Sequence, residues 1–121
     1  MKFIFLAFIL SLPFLNAREP ISLFDGKSLE HWEGDPKIWR IEDKAITASI
    51  PAGKNLAQNQ FLYWKEKVAD FDLSLDYRIT GGPTANSGIQ IRSKKDASGH
   101  AAGYQCDLDD GKLWLGRIYD E

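Results

Sequence analysis

The sequence predicts an all-β fold, a sandwich or barrel of short antiparallel strands, and three observations carry that reading. Turn signals recur at close intervals: Asp25-Gly26, Gly34-Asp35-Pro36, Pro51-Ala52-Gly53, Gly81-Gly82-Pro83, Ser98-Gly99 and Asp110-Gly111. The runs between them are short and of strand type. No segment carries the 3.6-residue apolar stripe of an amphipathic helix.

The first candidate strand is Ile21 to Phe24. Trp39 to Glu42 and Ala45 to Ile50 follow, with Asp43-Lys44 as the hairpin turn between them. Phe61 to Val68 fits neither period. Asp70 to Thr80 alternates most clearly: Phe71, Leu73, Leu75, Tyr77 and Ile79 fall on one face, Asp72, Ser74, Asp76 and Arg78 on the other. Gly81-Gly82-Pro83 ends that strand, because proline cannot donate to a ladder. Ser87 to Ser93 and Tyr104 to Leu108 alternate in the same way, and Leu113 to Tyr119 is the last candidate. A final strand with no visible partner leaves an open edge, so a truncated domain is expected.

The N-terminus reads differently. Met1-Lys2 is a short positive start, Phe3 to Leu15 is almost wholly apolar, and Ala17 offers a small residue for cleavage. Residues 1–17 are therefore expected to be a secretory signal peptide, too short for a stable membrane span. Residues 18–121 form the folded part. No second apolar run is long enough to cross a bilayer.

Composition narrows the partners. The chain of 121 residues carries 15 Lys and Arg against 17 Asp and Glu, a net charge of −2. The leader takes away only Lys2, so the mature part is slightly more acidic. This composition argues against a basic nucleic-acid surface and against a disordered chain. Four Trp suit either a core or a sugar platform. With one cysteine, Cys106, no internal disulfide forms, and two histidines cannot make a His-rich metal site. Export without disulfides or glycosylation sequons points to a secreted or periplasmic protein of a bacterial envelope. Oligomeric state is open.

The chemistry-bearing residues sit on the polar faces of two strands. If these pair antiparallel, Ile89, Ile91, Tyr104, Cys106 and Leu108 build one side, and Gln90, Arg92, Gln105 and Asp107 gather on the other. A guanidinium, a carboxylate and two amides can hold sugar hydroxyls. The same pattern fits a solvated face with an Arg92–Asp107 ion pair. The cluster Asp107-Leu108-Asp109-Asp110-Gly111 fails the EF-hand spacing and fits a turn. Asp120 and Glu121 add carboxylates, of which alternation lets at most one join Asp107. The sequence has no nucleophile elbow, phosphate loop or His-Glu-x-x-His.

At this point the residues resemble a known family. Leu23-Phe24-Asp25-Gly26-Lys27-Ser28-Leu29 with Trp32 is similar to the opening signature of the 3-keto-disaccharide hydrolase domain. The likeness continues through Trp39-Arg40-Ile41-Glu42-Asp43 and Asp70-Phe71-Asp72-Leu73. It is sharpest at Asn86-Ser87-Gly88-Ile89-Gln90-Ile91-Arg92-Ser93 and Gly103-Tyr104-Gln105, and it closes with Trp114-Leu115-Gly116-Arg117-Ile118-Tyr119-Asp120-Glu121. The resemblance implies a concanavalin A-like jelly roll with a sugar site on its concave face. It also implies cleavage of glycosides oxidised at C3, where the ketone acidifies the C2 proton and lets the glycosidic oxygen leave. On that basis Asp107 is the expected base or metal ligand, Arg92 the orienting or polarising group, and Glu121 or Asp120 the second carboxylate. Gln90, Gln105, Tyr104, Tyr119 and Asp120 are the expected substrate-binding residues. Many relatives carry Glu where this chain has Gln105, and an amide can bind but cannot act as a base. No cofactor is required by the resemblance, and a divalent metal is left open. Relatives also run well past Tyr119-Asp120-Glu121. A non-catalytic carbohydrate-binding module of the same fold, or an inactive fragment, is the competing expectation.

Overall fold

The computed structural model describes residues 19–51, 53–82, 84–111 and 113–120. The expected leader at 1–17 and the candidate Glu121 lie outside the described residues. Within them every regular element is a β-strand, and every ladder is antiparallel. None of the described residues belongs to a helix long and apolar enough to cross a membrane.

The N-terminal region is held by turns before it reaches a strand. The Asp25 carboxylate accepts the N–H groups of Lys27 at 2.8 Å and Ser28 at 2.9 Å, while Gly26 takes φ +78°. These backbone donors hold the Asp25 carboxyl below its usual value. Ile21 to Phe24 is not a strand. Its place is taken by a two-residue element the alternation did not reveal, β1 (Trp32–Glu33), which pairs with β4 (Tyr63–Trp64) inside the segment that fitted neither period. The indoles of Trp32 and Trp64 meet edge to face, 5.2 Å between centroids, and Trp32 Nε1 donates to the Leu23 carbonyl at 2.9 Å. Two large aromatic rings thus stabilise a ladder too short to stand alone.

The expected hairpin forms between β2 (Trp39–Glu42) and β3 (Ala45–Ala48). Asp43 and Lys44 have φ +51° and +60°, the two left-handed central residues of a type I′ turn, whose twist matches the strands.

The largest sheet has the order β5 (Asn86–Lys95), β6 (Ala101–Asp109), β7 (Ile118–Asp120). Asp96 closes the β5–β6 connection, accepting the N–H of Ser98 at 2.8 Å and of His100 at 2.9 Å. Most of the last candidate strand is turn instead. Its ladder starts only at Ile118, because Asp109 draws in the N–H groups of Gly111 and Trp114, both at 2.9 Å, and folds the chain back first.

The clearest alternation in the sequence forms no ladder. Between Asp70 and Thr80 no strand is assigned, and Phe71, Leu73, Leu75 and Tyr77 are 45–50% exposed. Alternation records which side of a ribbon prefers to be dry. A strand also needs a neighbour to take its N–H and C=O groups, and no described segment lies beside this one as a ladder partner. Packing is correspondingly thin: among the described apolar residues only Ala101 is fully buried.

Candidate functional site

Strand β6 lies between two partners, so its side chains meet neighbours from both. Residues directly opposite in an antiparallel ladder share a face. Gln90 lies opposite Gln105, Gly88 opposite Asp107, and Tyr119 opposite Gln105. One face therefore collects Gln90, Gln105, Asp107 and Tyr119. The other collects Ile89, Ile91, Cys106 and Ile118, with Cys106 half-buried among isoleucines.

The polar face is wired in one direction. Ser93 Oγ shares its proton between Gln90 Oε1 at 2.8 Å and the Ile91 carbonyl at 2.9 Å. Gln90 Nε2 donates to Gln105 Oε1 at 3.1 Å, and Gln105 Nε2 donates to Asp107 Oδ1 at 2.8 Å. The row of bonds ends on Asp107, a residue that is only 6% exposed. Its carboxylate needs donors, and Gln105 supplies one. The main chain of Asp107 is fixed as well: its N–H donates to the Arg117 carbonyl and its carbonyl accepts from Gly116 N–H, each at 2.9 Å.

Gly88 makes room for this arrangement. A Cβ there would stand 2.3 Å from Gln105 Cγ and Cδ, so the Gln105 side chain lies directly across the glycine. A glycine inside a strand signals such a close approach. That signal was present in the sequence, whereas nothing in the alternation singled out Ser93.

Ser93 joins the row because of a bulge. The β5–β6 register shifts between Ile91 and Lys94, and Arg92 sits at φ +49°. The extra residue interrupts the alternation that placed Arg92 beside Gln90. The Arg92 guanidinium instead donates to Asp70 Oδ1 at 3.0 Å, an exposed pair in place of the Arg92–Asp107 pair that the pattern allowed. With Asp70, Phe71 and Ile91 it lines a shallow hollow of about 290 Å³.

The remaining candidates separate by face. Tyr104 lies opposite both Ile91 and Asp120, so Tyr104 and Asp120 sit on the side away from Asp107. Tyr119 is on the Asp107 side. Asp109 is buried, but both its oxygens are taken by backbone N–H groups. The Trp114 and Gly111 donors hold its carboxyl below the usual range. A divalent ion at Asp107 would need further ligands. Among the described residues no three His, Cys, Asp or Glu come together to supply them.

A polar, hydrogen-bonded sheet face ending in a buried carboxylate suits polyol recognition. The comparison with known families agrees: the model of the 3-keto-alpha-glucoside-1,2-lyase-like domain matches residues 19–121. The chain belongs to this family. Among curated proteins and among solved structures, nothing matches the chain. The family is a carbohydrate-active one, and the match spans the three small sheets formed by the described residues. The Gln90–Gln105–Asp107 row thus lies within the family domain.

Proposed function

We propose that this domain, exported to the bacterial envelope on its N-terminal leader, cleaves the glycosidic bond of 3-keto-glycosides or 3-keto-disaccharides, using the Asp107 face of a jelly-roll scaffold. The observation that supports the reading is the directed row Ser93–Gln90–Gln105–Asp107. It delivers one aligned donor to the carboxylate of a buried residue and leaves amides beside it for hydroxyl groups.

The chemistry follows from the substrate. A C3 ketone stabilises negative charge at C2, so the C2 proton is within reach of a carboxylate base. Asp107 takes that proton. The C2–H electron pair becomes the C1=C2 double bond as the C1–O bond breaks, and the leaving oxygen takes a proton. Water then adds across the double bond to give the free 3-keto sugar. Gln90, Gln105 and Tyr119 orient the hydroxyls. Arg92 stands outside this row, tied to the exposed Asp70 carboxylate, so a role on the developing charge of the ketone oxygen requires it to exchange that weak tie for the ligand oxygen. Glu121 is assigned to the leaving group by its place in the sequence.

The test is incubation of the purified protein with a 3-keto-glucoside, following released sugar and the transient enone absorbance. Release that is lost in Asp107→Asn supports the assignment. Saturable binding with no release replaces it with the binding-module reading.

A further inference from the structure

A second polar recess lies at the opposite end of the β5–β6 hairpin. Asp107 faces Gly88 near one end of the ladder, while Lys95 faces Ala101 at the other. Lys95 lies seven positions beyond Gly88 along β5, roughly 20 Å of chain. Against the Lys95 end is a cleft of about 280 Å³, lined in part by Glu33, Gln60, Phe61, Tyr63, Lys95 and His100. None of the residues of the Asp107 row lines it.

Its walls are aromatic and its rim is rich in amides. Phe61 packs at 5.9 Å from Tyr63 and at 5.1 Å, edge to face, from His100. Tyr63 Oη donates to the Gly99 carbonyl at 3.0 Å, which fixes the ring. Gln58 and Gln60 add side chains that both donate and accept, as a sugar hydroxyl does. The floor is close-packed at Gly34, where a Cβ would stand 2.8 Å from Leu62 Cδ1.

The ammonium of the cleft is already spent on one of its carboxylates. Lys95 is ion-paired to Glu33, and its ammonium also lies 5.2 Å from the Tyr63 ring centroid. The place a ligand cation would take over that ring is thus filled by the protein. Asp35 accepts the Lys37 N–H at 2.8 Å and leaves the lining with more carboxylate than ammonium, which disfavours an anion. A neutral, polyhydroxylated ring with one apolar face meets these conditions.

We propose that the Phe61–Tyr63–Lys95 cleft is a second carbohydrate site, one that binds a neutral sugar and takes no part in bond cleavage. The choice of a sugar rests on the carbohydrate reading above, whereas the location of the cleft does not. Its separation from Asp107 suits it to hold another part of a glycan, or another molecule, while the reacting sugar lies elsewhere.

The experiment is a titration of the isotope-labelled chain with glucose, a glucose disaccharide and glucuronate, followed by NMR. Saturable shifts of Gly34, Gly99 and the Tyr63 ring are expected with the neutral sugars. They should persist in Asp107→Asn and weaken about fivefold in Gln60→Ala, the loss of one neutral hydrogen bond. No saturable shifts at those three residues overturns the proposal, as does their loss in Asp107→Asn or a preference for glucuronate. The wild-type titration is decisive if Gln60→Ala does not fold. Cleft binding without turnover of a 3-keto-glucoside would retain this site and overturn only the catalytic reading.

Discussion

Gln105 donates a 2.8 Å hydrogen bond to Asp107 from two positions earlier on the same strand. An ionised carboxylate only accepts, so this contact forces the Gln105 amide to present its nitrogen to Asp107 and its oxygen to Gln90. The Gln90 amide must then turn the same way, with its oxygen toward Ser93. One carboxylate sets the orientation of three neighbours, and the predictions below exploit that dependence.

Asp107→Asn keeps an oxygen that can accept from Gln105 but removes the base. Turnover of a 3-keto-glucoside should fall by about 10²–10⁴-fold, while the melting temperature changes little. Asp107→Ala should in addition leave the Gln105 amide unpaired, at a cost of about 1–3 kcal/mol. Unchanged turnover in Asp107→Asn would remove Asp107 from the chemistry.

Gln105→Glu places a second carboxylate against the first. The donor is lost, and like charges raise the folded-state pKa of the pair above its unfolded value. The variant should therefore be less stable than wild type at neutral pH. It should regain stability on acidification, as one proton is taken up by the pair. Melting curves across the acid range check this, and a variant equally destabilised at every pH would argue for lost packing alone.

Gly88→Ala puts a methyl group where Gln105 now lies. Overpacking of this kind costs about 1–3 kcal/mol, and here the displaced atoms belong to the site. Loss of substrate affinity should accompany the fall in melting temperature. Gly88→Ala with full affinity would show that the position of Gln105 is immaterial to binding.

Arg92→Gly separates side chain from backbone. The left-handed conformation costs a non-glycine residue about 1–2 kcal/mol, and glycine's larger unfolded-state entropy returns about 0.5–1 kcal/mol of that. The bulge should survive and stability should stay within about 1 kcal/mol of wild type. Any loss of turnover then belongs to the guanidinium. Full activity in this variant would exclude Arg92 from the reaction.

Asp109→Ala removes a carboxylate whose pKa is lowered chiefly by the Trp114 and Gly111 N–H groups. A depressed folded-state pKa gives stability that is present above the unfolded value and lost as pH falls through the folded one. The wild type should melt higher than the variant near neutrality. The gap should narrow below about pH 4, where unfolded aspartates protonate. A gap independent of pH would assign the loss to the turn's geometry rather than its charge.

Local pattern made part of this molecule legible. Asp43-Lys44 could be read as a hairpin turn because two strand-like runs flank it, and β2 and β3 pair around it. Gln90, Gln105 and Asp107 could be placed on one face because the β5–β6 register keeps step from Asn86 to Ile91. Past Ile91 alternation misleads, since one inserted residue inverts every later side chain and brings Ser93, not Arg92, into the row. The pairing of Trp32 with Trp64 was invisible because two-residue strands have no period to detect. At Phe71 to Ile79 the period was plain, but pairing depends on what lies alongside, which a periodic pattern does not encode.

That stretch has a bearing on colloidal behaviour. A ribbon whose apolar side chains face water, with no ladder partner among the described residues, is a template for another chain's backbone, including that of a second copy. Asp72, Asp76 and Arg78 alternate with those side chains and act as gatekeepers against stacking. Screening weakens such charges within a Debye length of about 8 Å at physiological salt. Solubility is thereby expected to fall as ionic strength rises, with dilute, low-salt buffer the condition that keeps the chains apart.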